Sequence, residues 1–289
     1  MNPAISIVTP SFRQLNWLRL AVASVADQSG VEVEHIVQDA GSEGIEECIR
    51  LLRCSRLKLQ IEEDAGMYDA INRGLSKAAG EICGWLNCDE QYLPGTLAHV
   101  ANFFAASPEI DILFGHALVT DSRGKALAYR QAILPSPSHI RLSHLNTFSC
   151  ATFFRKRIWE NYHLPSEWKS IGDAVWMHDL LKAGARAEVM PKLLSIFSLT
   201  GANLSTDNPV SVAEKKRWLA REDAPAQSCP AMHVALHRLK KFLAGAYRKR
   251  NVAYQIYLLS SPERRVPFSI RNVGGAWKTQ ETMERTSAL

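Results

Sequence analysis

From residue 4 to residue 64 apolar strands alternate with apolar residues at helical spacing, and a chain with that alternation has few folds open to it. A strand at residues 4–9 is followed by Pro10-Ser11-Phe12 and then by Leu15, Leu18, Val22 and Val25, ending at Gly30. A second strand, residues 33–38, closes in the turn-forming cluster Asp39-Ala40-Gly41-Ser42. Ile45, Ile49 and Leu52 mark another helix before a third strand at 57–62, which runs into Asp64. Strand, helix, strand, helix predicts a parallel, doubly wound α/β sheet with helices on both faces. Ligands of such sheets bind beyond the carboxyl ends of the strands, where this pattern puts Asp39 and Asp64.

The same logic gathers most of the chemistry between residues 64 and 90. Ala70, Ile71, Leu75 and Ala78 have helical spacing, so a helix starts near Tyr68 and ends by Gly80. The apolar strand at 82–86 then ends at Asn87-Cys88-Asp89-Glu90. Two carboxylates and an amide at a strand tip suit Mg²⁺ or Mn²⁺, which take one or two carboxylate oxygens and fill their other positions from substrate phosphates. Asp89 is the ligand of choice. The alternative is that Asn87 and Asp89 only shape a turn and cap the helix after Pro94.

Composition narrows the partners. Among 289 residues, 46% are apolar and 22% charged, as in an ordinary globular protein. A net charge of +5 suits an anionic ligand or an anionic membrane surface without requiring nucleic acid. The six cysteines include no C-x-x-C pair, which argues for reduced thiols, a cytoplasmic setting and no zinc site. No basic-then-apolar leader precedes the first strand, and the longest uncharged run, 91–108, is interrupted by Pro94 and Gly95, so no span is expected. Neither G-x-x-x-x-G-K-[ST] nor G-x-G-x-x-G occurs, which leaves phosphate to a metal and a few side chains.

The second half reads as mixed. A helix with Leu97, Val100, Ala101 and Phe104 on one face precedes a strand at 110–115 and a hairpin around Asp121-Ser122-Arg123-Gly124. Asp173 begins a helix that ends at Gly184, where an aspartate serves well as an N-cap. Neither His144 nor His178 is assigned a catalytic role.

Five segments resemble, in order, the inverting glycosyltransferases of family 2, which have the GT-A fold, a Rossmann-like and mostly parallel mixed sheet. They are Thr9-Pro10-Ser11-Phe12, Asp39-Ala40-Gly41-Ser42, the run from Asp64 to Gly74, Asn87-Cys88-Asp89-Glu90 and the stretch around Asp173 that ends in Ala183-Gly184. The resemblance covers roughly residues 4–205. It implies a nucleotide-sugar donor held by Thr9, Pro10, Ser11, Asp39, Asp64 and Asn87, with Arg73 on the diphosphate, a divalent cation (Mn²⁺ or Mg²⁺) on Asp89, and Asp173 as catalytic base. From the residues alone, Asp39 could instead brace its turn and Arg73 could be a helix-end cation favoured by the macrodipole. Residues 148–155 look like the family's acceptor-side strand. The last family-like segment, 193–203, a strand followed by Thr200-Gly201-Ala202-Asn203-Leu204-Ser205, would close over the donor. Departures are Ser149 and Cys150 where His-Gln is common, and Asp179 where Arg is common. Glu214-Lys215-Lys216-Arg217-Trp218 imitates the Gln-x-x-Arg-Trp motif of processive members and is read as a chance match.

Residues 206–289 are assigned to a basic helical extension beyond a catalytic domain at 1–205, with a disordered tail after about residue 280. No acidic residue occurs from 224 to 262, against six basic ones: Arg238, Lys240, Lys241, Arg248, Lys249 and Arg250. Met232, Ala235, Leu236, Leu239, Phe242, Leu243 and Ala246 form an apolar stripe, and Tyr247, Tyr254 and Tyr257 add amphipathic rings. Such a helix either docks at the inner face of a membrane or packs its stripe on the catalytic domain.

The expected activity is transfer of a sugar from a nucleoside-diphosphate donor, UDP-linked, to a glycan or lipid-linked acceptor with inversion, in cell-surface polysaccharide biosynthesis. The alternatives are a sugar-phosphate nucleotidyltransferase, which would need a Gly-rich basic loop that Pro10-Ser11-Phe12-Arg13 is not, and a catalytically silent membrane-docked module.

Overall fold

A computed structural model describes residues 4–52, 54, 56–201, 203, 209–221 and 230–275. The alternating start folds as expected into β1 (Ile5–Ser11), α1 (Leu15–Ala26), β2 (Val33–Asp39), α2 (Ile45–Leu52), β3 (Leu57–Ile61), α3 (Met67–Ser76) and β4 (Ile82–Trp85). Then come β5 (Glu90–Tyr92), α4 (Thr96–Ala106), β6 (Ile112–Asp121), β7 (Ala126–Arg130), α5 (Pro137–Leu142), β8 (Thr152–Arg155), α6 (Lys156–Asn161), α7 (Gly172–Lys182) and β9 (Ala187–Leu199). The chain continues as α8 (Pro209–Leu219), α9 (Pro230–Leu243), β10 (Arg250–Leu258) and β11 (Ser261–Val273).

The main sheet runs β3-β2-β1-β4-β8-β6-β9-β5, with β7 paired to β6. β1 lies parallel to β2 and β4, and β2 parallel to β3, which is the doubly wound half. β8 enters antiparallel to both β4 and β6, and β9 runs parallel to β6 but antiparallel to β5. The second half is therefore mixed, as its hairpin and strand pattern indicated.

Packing explains the placement of the helices that matter here. α3 crosses β1 closely enough that a Cβ on Gly74 would lie 2.4 Å from Val8 Cγ1, so only glycine fits that contact. α7 is anchored through Trp176, whose ring meets Trp85 of β4 at 5.9 Å and Phe154 of β8 at 5.0 Å between centroids. Aromatic pairs in such edge contacts add about 0.5–1.5 kcal/mol each beyond area burial.

The C-terminal segment departs from expectation. It supplies the helices α8 and α9, but residues 250–273 form an antiparallel hairpin rather than more helix. Val252, Tyr254 and Ile256 of β10 join Leu118 and Ile196 in a shared buried cluster, so packing runs across position 205. Tyr254 donates to the Gly124 carbonyl at 2.7 Å and Tyr257 to Asp27 at 2.9 Å, so both rings belong to the core and are corrected from amphipathic surface residues. Arg250 is likewise engaged, donating to Gln131 at 2.7 Å. The tail after residue 280 lies outside the described residues.

Candidate active site

The carboxyl edge of the parallel strands gathers the expected side chains from β1, β2, β4 and the loops after β3 and β9. Thr9, Pro10 and Ser11 complete β1. Thr9 Oγ1 lies 2.8 Å from His35 Nε2, and Ser11 Oγ is buried without a partner among the described residues. Asp39 ends β2 fully buried, and its carboxylate accepts from the amides of Gly41 (2.9 Å) and Ser42 (2.6 Å) and from the Ser42 hydroxyl (2.9 Å). It thus braces its turn, the role its residue type alone suggested. Asp64, beyond β3, accepts from the Gly66 amide at 2.9 Å, and burial pushes its carboxyl above the usual range.

Arg73 sits in the last turn of α3 and is bound on both sides by protein carboxylates, Asp69 at 2.9 Å and Glu62 at 2.5 Å. Its guanidinium is already shared between these two acids.

Asn87-Cys88-Asp89-Glu90 is gripped rather than loose. Its last residue begins β5 and pairs with Phe197 of β9. Glu90 is completely buried, accepts from the Asn87 amide at 2.8 Å, and is pushed up to about 8 by desolvation, reinforced by the charge of Asp89. Asp89 is pushed up to about 6, again by burial, and accepts from the Asn203 side-chain amide at 2.9 Å. The cap position of α4 is Gly95, with no side-chain cap, so neither Asn87 nor Asp89 caps that helix.

These groups are a fair fit to a hard cation. Asn87 Oδ1 and Glu90 Oε1 are buried oxygens without partners among the described residues, and Asp89 is a carboxylate held in a desolvated site where a cation would favour its charged form. Among the described residues no cluster of three or more His, Cys, Asp or Glu could hold a metal alone. The donor set is thus of the sparse kind that relies on substrate phosphates.

Asp173 lies in the first turn of α7, where the cap position is Ile171, so it does not act as an N-cap. Its Oδ1 accepts from the Tyr68 hydroxyl at 3.0 Å and from the Ala174 amide at 2.8 Å. Burial raises its carboxyl above the usual range. Tyr68 also reaches the Ser170 carbonyl at 3.1 Å, tying α3 to the loop before α7.

The sequence reading missed one participant. Glu214 of α8 accepts from three successive amides, Lys169 (2.6 Å), Ser170 (2.9 Å) and Ile171 (3.2 Å), immediately before α7. In the same motif Arg217 stacks over Trp168 at 3.9 Å and Trp218 is buried edge-on to His178 at 5.3 Å. Glu214-Lys215-Lys216-Arg217-Trp218, read as a chance imitation, is integral to the loop that presents Asp173. The imitation itself was the available signal.

The family model described as "Glycosyl transferase family 2" matches residues 6–160. The chain belongs to glycosyl transferase family 2. That match covers the β1-to-α6 part of the sheet, including the Asp39, Asp64 and Asp89 positions, and stops short of Asp173. Among curated family relatives, an uncharacterized glycosyltransferase of Mycobacterium tuberculosis is 31% identical over 120 residues, 40% of this chain and 45% of that protein. The chain spans less than half the length of the curated relatives it matches. In fold it is similar to S. aureus TarS 1-349 in complex with UDP (TM-score 0.58, 18% identity, 84% of this chain and 72% of that one). It is also similar to the mannosyltransferase PcManGT from Pyrobaculum calidifontis in complex with GDP-Man and Mn²⁺ (TM-score 0.55, 16% identity, 85% and 72%). At these identities the likeness carries the fold, GT-A.

Proposed function

We propose that this family 2 enzyme transfers a sugar from a nucleoside-diphosphate donor, UDP-linked, to a hydroxyl of a glycan or lipid-linked acceptor, inverting the anomeric carbon. The observation that carries this reading is the partly buried carboxyl of Asp173, held by Tyr68 at 3.0 Å on a helix packed through Trp176 onto the strand that leads to Asp89. Asp173 takes the acceptor's proton as the hydroxyl oxygen attacks the anomeric carbon, and the bond from that carbon to the diphosphate oxygen breaks in the same displacement. Thr9, Pro10, Ser11, Asp39 and Asp64 line the nucleotide side, with Asn87 beside Asp89. Arg73 joins the diphosphate by exchanging one of its carboxylate partners.

Asp89, with Asn87 and Glu90 beside it, would hold Mn²⁺ or Mg²⁺, which when bound supplies neutralisation of the charge on the leaving diphosphate. The neighbours described with UDP and with GDP-Man and Mn²⁺ support a nucleotide-sugar donor and a divalent cation for this chain.

The basic C-terminal segment supports work at the cytoplasmic face of an anionic membrane, in cell-surface polysaccharide synthesis. Among the described residues no helix is long and apolar enough to cross a membrane, so attachment would be peripheral. The deciding experiment incubates the full chain with UDP- and GDP-sugars and Mn²⁺ and follows nucleotide release by chromatography. Release from a UDP-sugar that stops on Asp173→Asn supports the reading, and undiminished release in that variant overturns it.

A further inference from the structure

α9 is built inside out. Its inward face is mostly polar: His237 is buried and stacks on His139 of α5 at 3.8 Å, with Lys241 and His233 partly buried beside it, and among the described residues Val234 is the one partly buried apolar residue there. Its apolar residues point away from the protein, with Met232 60%, Leu236 50%, Leu239 52%, Phe242 70% and Leu243 75% exposed. Tyr247, just beyond the helix, is 51% exposed and extends the same surface. A soluble helix normally does the reverse, burying its stripe and solvating its charges.

The charges are arranged around that stripe. At roughly 100° per residue, Arg238 and Lys240 fall on its two opposite borders, and Arg248 and Lys249 follow the helix. All four are exposed. Neither α9 nor the segment on to residue 262 carries an acidic residue. An outward apolar stripe bordered by cations has no use for water and no match in an acidic protein groove alone. It is complementary to a surface that is apolar within and negatively charged at its rim.

We propose that the outward face of α9 is a docking surface for an anionic phospholipid bilayer, with Leu236, Leu239, Phe242 and Leu243 entering the acyl boundary and Arg238, Lys240, Arg248 and Lys249 resting on the headgroups. This assignment rests on the membrane reading above and names the element that makes the contact. It excludes Arg250, Tyr254 and Tyr257, which the hairpin and its neighbours engage. Apolar insertion and headgroup attraction add in such a helix, so each can be removed separately.

The test sediments the full chain with phosphatidylcholine vesicles and with vesicles that also contain phosphatidylglycerol. The wild type binds the anionic vesicles more tightly, and added salt narrows the difference. The triple variant Leu236→Gln, Leu239→Gln, Phe242→Gln loses at least about 100-fold in affinity for both, because each buried side chain is worth about tenfold. The variant Arg238→Gln, Lys240→Gln, Arg248→Gln, Lys249→Gln loses about fivefold per charge on anionic vesicles and little on neutral ones. All altered side chains are exposed, so nucleotide release remains at the wild-type rate and reports on the sugar-transfer reading independently. A triple variant that binds as the wild type does overturns the assignment to α9. A wild type that binds neither vesicle overturns the membrane reading itself, and equal binding to both vesicles overturns the role of the cations. A concentration-dependent dimer that the triple variant dissociates, without vesicle binding, would make a second copy of the chain the occupant instead.

Discussion

Glu214 accepts the backbone amide of Lys169 at 2.6 Å, and with its second oxygen it takes the next two amides before the helix that carries Asp173. A carboxylate shared by three consecutive N–H groups fixes the direction in which that loop enters α7. Hydrogen bonds to a charged acceptor contribute more than neutral ones, and their loss leaves partly buried donors unpaired.

Glu214→Ala is therefore expected to cost roughly 2–4 kcal/mol of stability and to lower turnover. Glu214→Gln keeps one acceptor oxygen and restores part of both. Urea denaturation of the two variants separates these outcomes, and equal midpoints for wild type and Glu214→Ala would remove Glu214 from the loop's support.

Asp173→Asn should lower kcat by about 10² or more, the scale of a positioned general base, with nucleotide affinity little changed. Tyr68→Phe removes the hydroxyl that lies against Asp173 and should give a smaller fall in kcat at unchanged nucleotide affinity. Gly172→Ala should be the more damaging neighbour, because its Cβ would lie 2.6 Å from the Tyr68 ring. Steady-state kinetics with titrating nucleotide checks all three.

Asp89→Ala should retain the fold and lose activity. In the wild type, UDP with Mn²⁺ at about 100 times the dissociation constant adds about 2.7 kcal/mol of stability. The Mn²⁺-dependent part of that gain should be absent from the variant in a thermal-shift assay. Wild-type turnover by the variant in EDTA would place the metal role elsewhere.

Acid should loosen the seat of α9. Burial lowers the His139 ring and lowers His237 to about 4, and the groups facing them (Lys215 of α8, Lys240 and Lys241 of α9, His144, His233) are all basic. Both rings bind protons less readily in the fold than in the unfolded chain. Their contribution is present above about pH 6.5 and is lost as pH falls toward 4. Hydrogen exchange of α9 amides at pH 7.5 and pH 5, with each rate divided by the intrinsic rate of an unprotected amide at that pH, should show lower protection at pH 5. His237→Gln should flatten that difference.

The doubly wound half was legible because its strands are short apolar runs closed by turn residues, and its helices repeat at 3.6 residues. The strand-tip carboxylates followed from that register. The C-terminal hairpin was misread although its signal is present, since Val252, Tyr254 and Ile256 alternate with exposed Asn251, Ala253 and Gln255. The preceding basic stripe drew the helical reading onward through it. Glu214 was passed over for a different reason. Its partners are more than 40 residues away in sequence, and apart from the motif imitation, which was read as chance, nothing local distinguishes an acid that will find amides from one that will meet water. Asp39 shows the converse, since its bonds all lie within three residues and its turn role could be read directly.

β9 leaves the helix of Asp173 and, 13 residues later, delivers Thr200 and Asn203 to Asp89 while its flank holds Glu90. At about 3.3 Å per residue it is a strut of roughly 43 Å that starts beyond the end of α7 remote from Asp173 and returns to the Asp89 side of the site. Strand pairing fixes such a strut in steps of whole residues, and a slip of one step turns every side chain to the opposite face. Substitutions at its exposed positions, such as Glu188 and Lys192, can thus be absorbed one at a time, whereas a single-residue insertion or deletion would pull Asn203 away from Asp89. Length, more than composition, is the property this strand has to keep.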